Sequence, residues 1–185
     1  YNQLVNLFPE FKDVSVDELV NMINKTECAL IRTEADELTY PLHIMVRYEI
    51  EKEIAKGNVD YDKLPEVWAD KYEEYLGVRP TNYKEGVLQD MHWSTGYLGY
   101  FPTYALGSAY AAQLYATMEK QFDVEDALLT NHFEKITNWL KENVHHYAAS
   151  KSMAEIVEEV SGEPFNPDYY TDYLIKKYKK LYNLD

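Results

Sequence analysis

Leu38-Thr-Tyr-Pro41-Leu42-His43-Ile-Met45-Val46-Arg47-Tyr-Glu-Ile50-Glu-Lys-Glu-Ile54 is the stretch whose pattern sets the fold class. Leu38, Leu42, Met45, Val46, Ile50 and Ile54 recur at steps of three and four, the period of a helix with one apolar face. Upstream, Thr33-Glu-Ala-Asp36-Glu37 predicts a helix start, with Thr33 as N-cap and acids in the first turn. Pro41 inside the pattern predicts a kink or a restart. Gly57 predicts the stop.

The same grammar extends in both directions. Residues Tyr1 to Phe11 read as irregular, broken by Pro9. Ser15-Val-Asp-Glu18 has capping-box spacing before Leu19, Val20, Met22 and Ile23. Lys25 to Arg32 fits either a short strand or the approach to a helix. Leu64-Pro65-Glu66 places proline in a first turn, and Val67, Trp68, Tyr72 and Tyr75 lead to Gly77. A helix is expected from about Tyr104 to Phe122, with alanines and Gly107 allowing a neighbour to pack closely. Further helices are expected over Asp123–Leu129 and Asn131–Val144, the latter burying Phe133, Ile136, Trp139 and Leu140. Two more run from the capping box at Ser152 to Gly162, and from Asp168 to Tyr182 behind Asn166-Pro167. The expectation is an all-α chain of seven or eight helices forming one unit, residues 1–185.

Composition narrows the function. The chain of 185 residues has 46% apolar residues and a net charge of −14. That supports a core and disfavours nucleic acid and anionic membrane surfaces as partners. No apolar run approaches the ~20 residues of a transmembrane helix. No signal peptide opens the sequence. The absence of an initial methionine is expected of a chain that begins partway through a longer protein. Cys28 is the one cysteine, so no internal disulfide forms. It is expected to be a small buried hydrophobe, which fits a cytoplasmic protein.

The candidate chemistry lies in Gly86-Val-Leu-Gln89-Asp90-Met-His92-Trp93-Ser-Thr-Gly96-Tyr97-Leu-Gly99-Tyr100-Phe-Pro102-Thr-Tyr104. No helix period fits this stretch, and glycine- and aromatic-rich irregular segments often line sites. Packing of an aromatic loop is the plain alternative. Asp90 and His92 alternate around Met91, so an extended loop would face them to one side. Arg32, Asp36, Glu37 and Tyr40 cluster at a predicted helix start, and Arg47 follows Asp36 on much the same face. Ion pairing would explain these arginines without any substrate. The five histidines show no His-x-x-x-His spacing, so no metal site is expected from this chain alone.

Ile31-Arg-Thr-Glu-Ala-Asp-Glu-Leu-Thr-Tyr40 together with Gly86-Val-Leu-Gln-Asp-Met-His-Trp93 resembles the last two signature motifs of the thermostable carboxypeptidase family, the M32 zinc metallocarboxypeptidases. Gly99-Tyr-Phe-Pro-Thr-Tyr-Ala-Leu-Gly107 and the tail from Asn166 fit as well. The resemblance covers essentially the whole chain. The family's His-Glu-x-x-His helix and its further glutamate, which hold zinc, do not occur here. Its His-Pro-Phe and Asp-x-Arg-x-Thr motifs are also absent. The resemblance therefore implies a C-terminal part of such an enzyme, inactive alone, with zinc held by residues outside this chain. It implies a peptide substrate with a free C-terminus and a homodimer. It gives His92 and Tyr100 the role of hydrogen-bond donors to the oxyanion. Tyr97 and Tyr104 would flank the substrate, beside Gln89 and Asp90. Arg32, with Arg47 second, would bind the substrate carboxylate. The family pattern leads us to expect a glycine after His145-His146, where this chain has Tyr147-Ala148-Ala149. No role is assigned to that pair. A non-catalytic helical peptide-binding or scaffold domain of the same fold is the alternative.

Overall fold

The computed structural model describes residues 1–185 and contains helices and turns without a strand. There are nine α-helices, one or two more than the sequence pattern suggests. The extra element is α1 (Asn2–Leu7), which forms where Pro9 implied irregular chain. Two compact units emerge, residues 1–102 and residues 103–185.

The first unit is built on α3 (Tyr40–Ala55) and α4 (Leu64–Leu76). Val46 and Ile50 on α3 meet Trp68, Tyr72 and Leu76 on α4, and all five are buried. Steps of four residues put each set on one helix face. α2 (Val16–Ile23) starts at the Ser15 capping box, with both reciprocal bonds present. Pro65 lies in the first turn of α4, and Gly77 closes it in the left-handed conformation at φ 67°.

The start of α3 differs from expectation. Thr33 is not its N-cap, because Arg32–Glu34 forms only a 3₁₀ turn. Of the two outcomes expected at Pro41, the restart is observed: the α-helix begins at Tyr40, and Pro41 occupies its first turn, where its missing N–H costs nothing. Asp36 organises this entry instead. Its Oδ1 accepts from the Leu38 and Thr39 amides, and Oδ2 accepts from the Thr39 hydroxyl. Thr26 and the Glu27 amide also donate to it, tying down residues 25–31, which form no strand. Cys28 in that segment is exposed rather than buried. Ala29 and Leu30 beside it are half-buried, and Leu30 packs against the core, whereas Cys28 faces outward.

The face of α3 is also mixed. Met45 is exposed, whereas His43, Arg47 and Glu51 are buried. These three polar residues are spaced by four and form a second buried stripe beside the apolar one.

The second unit holds α5 (Pro102–Glu119), α6 (Val124–Leu129), α7 (Phe133–Asn143), α8 (Met153–Ser161) and α9 (Asp168–Tyr182). Leu114, Met118, Val124, Trp139 and Val157 form its buried core. Phe133 is half exposed, so α7 buries Trp139 without it. Gly107 faces open space, and no neighbour packs against it. The fully buried Gln113 fastens the α8–α9 connection. Its amide nitrogen donates to Ser161 Oγ and the Pro164 carbonyl, and its oxygen accepts from the Asn166 amide.

Ala148 sits at φ 49° and ψ −123°, a backbone region suited to glycine. It lies in the Tyr147-Ala148-Ala149 segment after the histidine pair, where the family pattern led us to expect a glycine. Ala148→Gly should therefore raise the unfolding free energy by ~1 kcal/mol, because relief of strain outweighs the added chain entropy. Urea denaturation checks this, and a loss of stability would contradict it.

Candidate functional site

The connection between α4 and α5 begins on the surface of α4, where Arg79 reaches Glu66, Asp70 and Glu73 at 2.7–2.8 Å. It then turns inward at Gln89 and Asp90. The Asp90 carboxylate lies between two arginines. Oδ1 accepts from Arg32 Nε at 3.1 Å and Nη2 at 2.7 Å. Oδ2 accepts from Arg47 Nε at 2.7 Å, with Arg47 Nη2 at 2.6 Å.

Arg47 has no exposed surface (0%) and satisfies all its donors within the protein. Besides Asp90, Nη1 donates to the His43 carbonyl and to Tyr72 Oη, and Nη2 to Gln89 Oε1. Its guanidinium also lies 4.6 Å from the Trp68 ring and 5.3 Å from Phe101. Within this chain Arg47 is therefore fully engaged as a structural support. Gln89 and Asp90 are engaged in the same way. The Gln89 amide donates to the Leu30 and Glu85 carbonyls, and its oxygen accepts from the Arg32 amide. All three residues frame the site. Arg32 is 8% exposed and also donates to Tyr40 Oη at 3.0 Å.

Charges follow from this geometry. Burial alone would raise the Asp90 carboxyl, but the two guanidinium groups hold it below the ordinary aspartate value. Burial, and then the charges of Arg47 and Arg32, push His43 down to about 4. His43 is thus a neutral core imidazole, its Nδ1 3.0 Å from Tyr72 Oη.

Beyond Asp90 the chain does not stay extended. His92 adopts a helical conformation and begins a 3₁₀ turn, Trp93–Thr95. Asp90 and His92 consequently part, Asp90 inward and His92 outward over Phe101. Gly96 and Gly99 have φ of 85° and 81°, which L side chains rarely adopt. These reversals return the chain so that the Tyr100 ring lies 5.7 Å from His92. Tyr97 stands edge-on to Tyr100 at 5.9 Å. The buried Phe101 underlies His92 at 4.3 Å. Tyr100 is 46% exposed and Tyr97 60%. His92, Tyr97 and Tyr100 are thus brought together as presented groups on a rigid base. Tyr104 lies in the first turn of α5, in the second unit. No group of three or more His, Cys, Asp or Glu side chains gathers in a way that would hold a metal ion.

Sequence inspection missed Glu51 and Tyr72. The spacing His43, Arg47, Glu51 was the available sign: a polar stripe at helical period, adjacent to an apolar one.

A profile of the carboxypeptidase Taq (M32) metallopeptidases matches residues 1–178. The chain belongs to the M32 family. Carboxypeptidase 1 of Bacillus subtilis is 48% identical over 95% of this chain and 35% of its own length. Thermostable carboxypeptidase 1 of Thermus thermophilus is 41% identical over 95% and 35%. The crystal structure of the M32 carboxypeptidase from Deinococcus radiodurans superposes with a TM-score of 0.94 at 34% identity, covering 98% of this chain and 37% of that one. The M32 chain described here therefore spans about a third of the length of these relatives. No helix in it is long and apolar enough to cross a membrane.

The depressed pKa of His43 makes a signed prediction. In the unfolded chain this imidazole takes up a proton near 6.5, whereas in the folded chain it does so only near 4. Its contribution is complete above pH 6.5 and is lost as pH falls toward 4, by at most ~3 kcal/mol. His43→Gln should flatten the fall in unfolding free energy across that window. An unchanged pH slope would contradict the assignment.

Proposed function

We propose that this chain forms the C-terminal part of a zinc metallocarboxypeptidase, where it supplies one wall of the peptide cleft. The carrying observation is the pairing of a half-buried His92 with the exposed Tyr100, on a turn whose root is locked by Asp90 between two arginines. Both side chains can donate hydrogen bonds from one surface. Fixed donors aimed where negative charge develops on a scissile carbonyl are a large catalytic contribution. Tyr97 would border the peptide on the same face, and Tyr104 is a further candidate for substrate contact.

Arg32 and Arg47 share the Asp90 carboxylate, and Arg32 is not fully enclosed. Arg32, the member with some exposure, is our candidate for drawing in the substrate's free C-terminal carboxylate. Arg47 is confined to support. The residues of this chain do not fit a metal site. Zinc would be held by residues outside it, and no step is assigned to the metal here. In this reading the chain is inactive alone, the intact enzyme is a homodimer, and it works in the cytoplasm on peptides.

The test uses the full-length protein and release of C-terminal residues from peptides. His92→Ala and Tyr100→Phe should each lower kcat by about tenfold to a thousandfold, as loss of oxyanion donors does elsewhere. Losses below about tenfold in both would remove this assignment.

A further inference from the structure

We propose that Glu51 is a positioning residue for His92, acting through the indole of Trp93; its effect on turnover rests on the functional reading above. Glu51 completes the buried polar stripe of α3 and is 5% exposed. Its Oε1 accepts the Trp93 indole N–H at 2.9 Å. Its Oε2 is buried and has no hydrogen-bond partner. A carboxylate removed from water with one neutral donor loses more in desolvation than that bond returns. Glutamine would accept the same N–H without the charge. Stability therefore does not account for a carboxylate at this place.

Position does account for it. Trp93 directly follows His92 and opens the 3₁₀ turn. Its ring stands edge-on to Trp68 at 5.8 Å and to Phe101 at 6.0 Å. Phe101 is the ring beneath His92 and the neighbour of Tyr100. A rotation of Trp93 would thus be passed to both presented groups, by the chain and by the packed rings. An ionised acceptor binds an N–H more tightly than a neutral one and so fixes the indole angle more firmly. Asp90 holds the turn from one side of His92, and Glu51 holds it from the other.

The experiment measures kcat and KM of the full-length enzyme with Glu51→Leu, Glu51→Gln, Trp93→Phe and the Glu51→Leu/Trp93→Phe double variant. Glu51→Leu should lower kcat by about tenfold or more with KM within about threefold, as misplacement of a catalytic group does. Glu51→Gln, which keeps an acceptor but not the charge, should recover only part of that loss. Trp93→Phe keeps a ring and removes the N–H, so it should match Glu51→Leu, and the double variant should lose no more than either single one. Wild-type kcat in Glu51→Leu overturns the proposal, as do losses that multiply in the double variant. Where Glu51→Leu does not fold, Trp93→Phe decides: a fall in kcat at constant KM supports the role, and an unchanged kcat overturns it. His92→Ala in the same assay separates two failures. Wild-type kcat in both His92→Ala and Glu51→Leu removes the functional reading, whereas wild-type kcat in Glu51→Leu alone removes only the role of Glu51.

Discussion

Asp90 lies between Arg32 and Arg47, and the first unit depends on that contact. The arginines are far from Asp90 in sequence, by 58 and 43 positions. One sits at the approach to α3 and the other inside it. Two guanidinium groups buried without an anion would be costly, and so would a buried carboxylate without a cation. The connection from α4 has therefore one acceptable place to enter the core. Gln89 adds to this by bonding the Leu30 and Glu85 carbonyls and the Arg32 amide. The rings of Trp68, Tyr72 and Phe101 around Arg47 supply the apolar side of the same pocket.

The consequence is a division of labour along a few residues. Gln89 and Asp90 are spent on the frame, and His92, Tyr97 and Tyr100 are presented. The change of direction occurs at the 3₁₀ turn and the two left-handed glycines. The left-handed glycines and the locked root fix the positions of these side chains relative to one another.

Local signals in the sequence were the most legible. The capping boxes at Ser15 and Ser152, Pro65, Gly77 and Gly162 act within a few residues, and the helices begin and end where they indicate. The M32 family was legible from two motifs and their separation. Other features depended on partners distant in sequence. Thr33 had the composition of a cap, but Asp36 took that work through bonds to Thr26 and Glu27. Apolar periodicity found the Val46–Ile50 face of α3, and the apolar neighbours of His43 marked it as a core histidine, but the burial of Arg47 and Glu51 depends on Asp90, Tyr72 and Trp93 from distant chain. Alternation placed Asp90 and His92 on one side, and the turn at Trp93 separated them. Cys28 misled because an apolar run was taken for a buried one.

The central claim is that the Asp90 carboxylate holds the unit together through both arginines. The direct measurement is the unfolding free energy of Asp90→Asn, which keeps the side-chain shape and removes the charge. The account predicts a loss of about 3 kcal/mol or more, since two buried cations are left without their anion. A loss below about 1 kcal/mol, the range of an exposed ion pair, would contradict it.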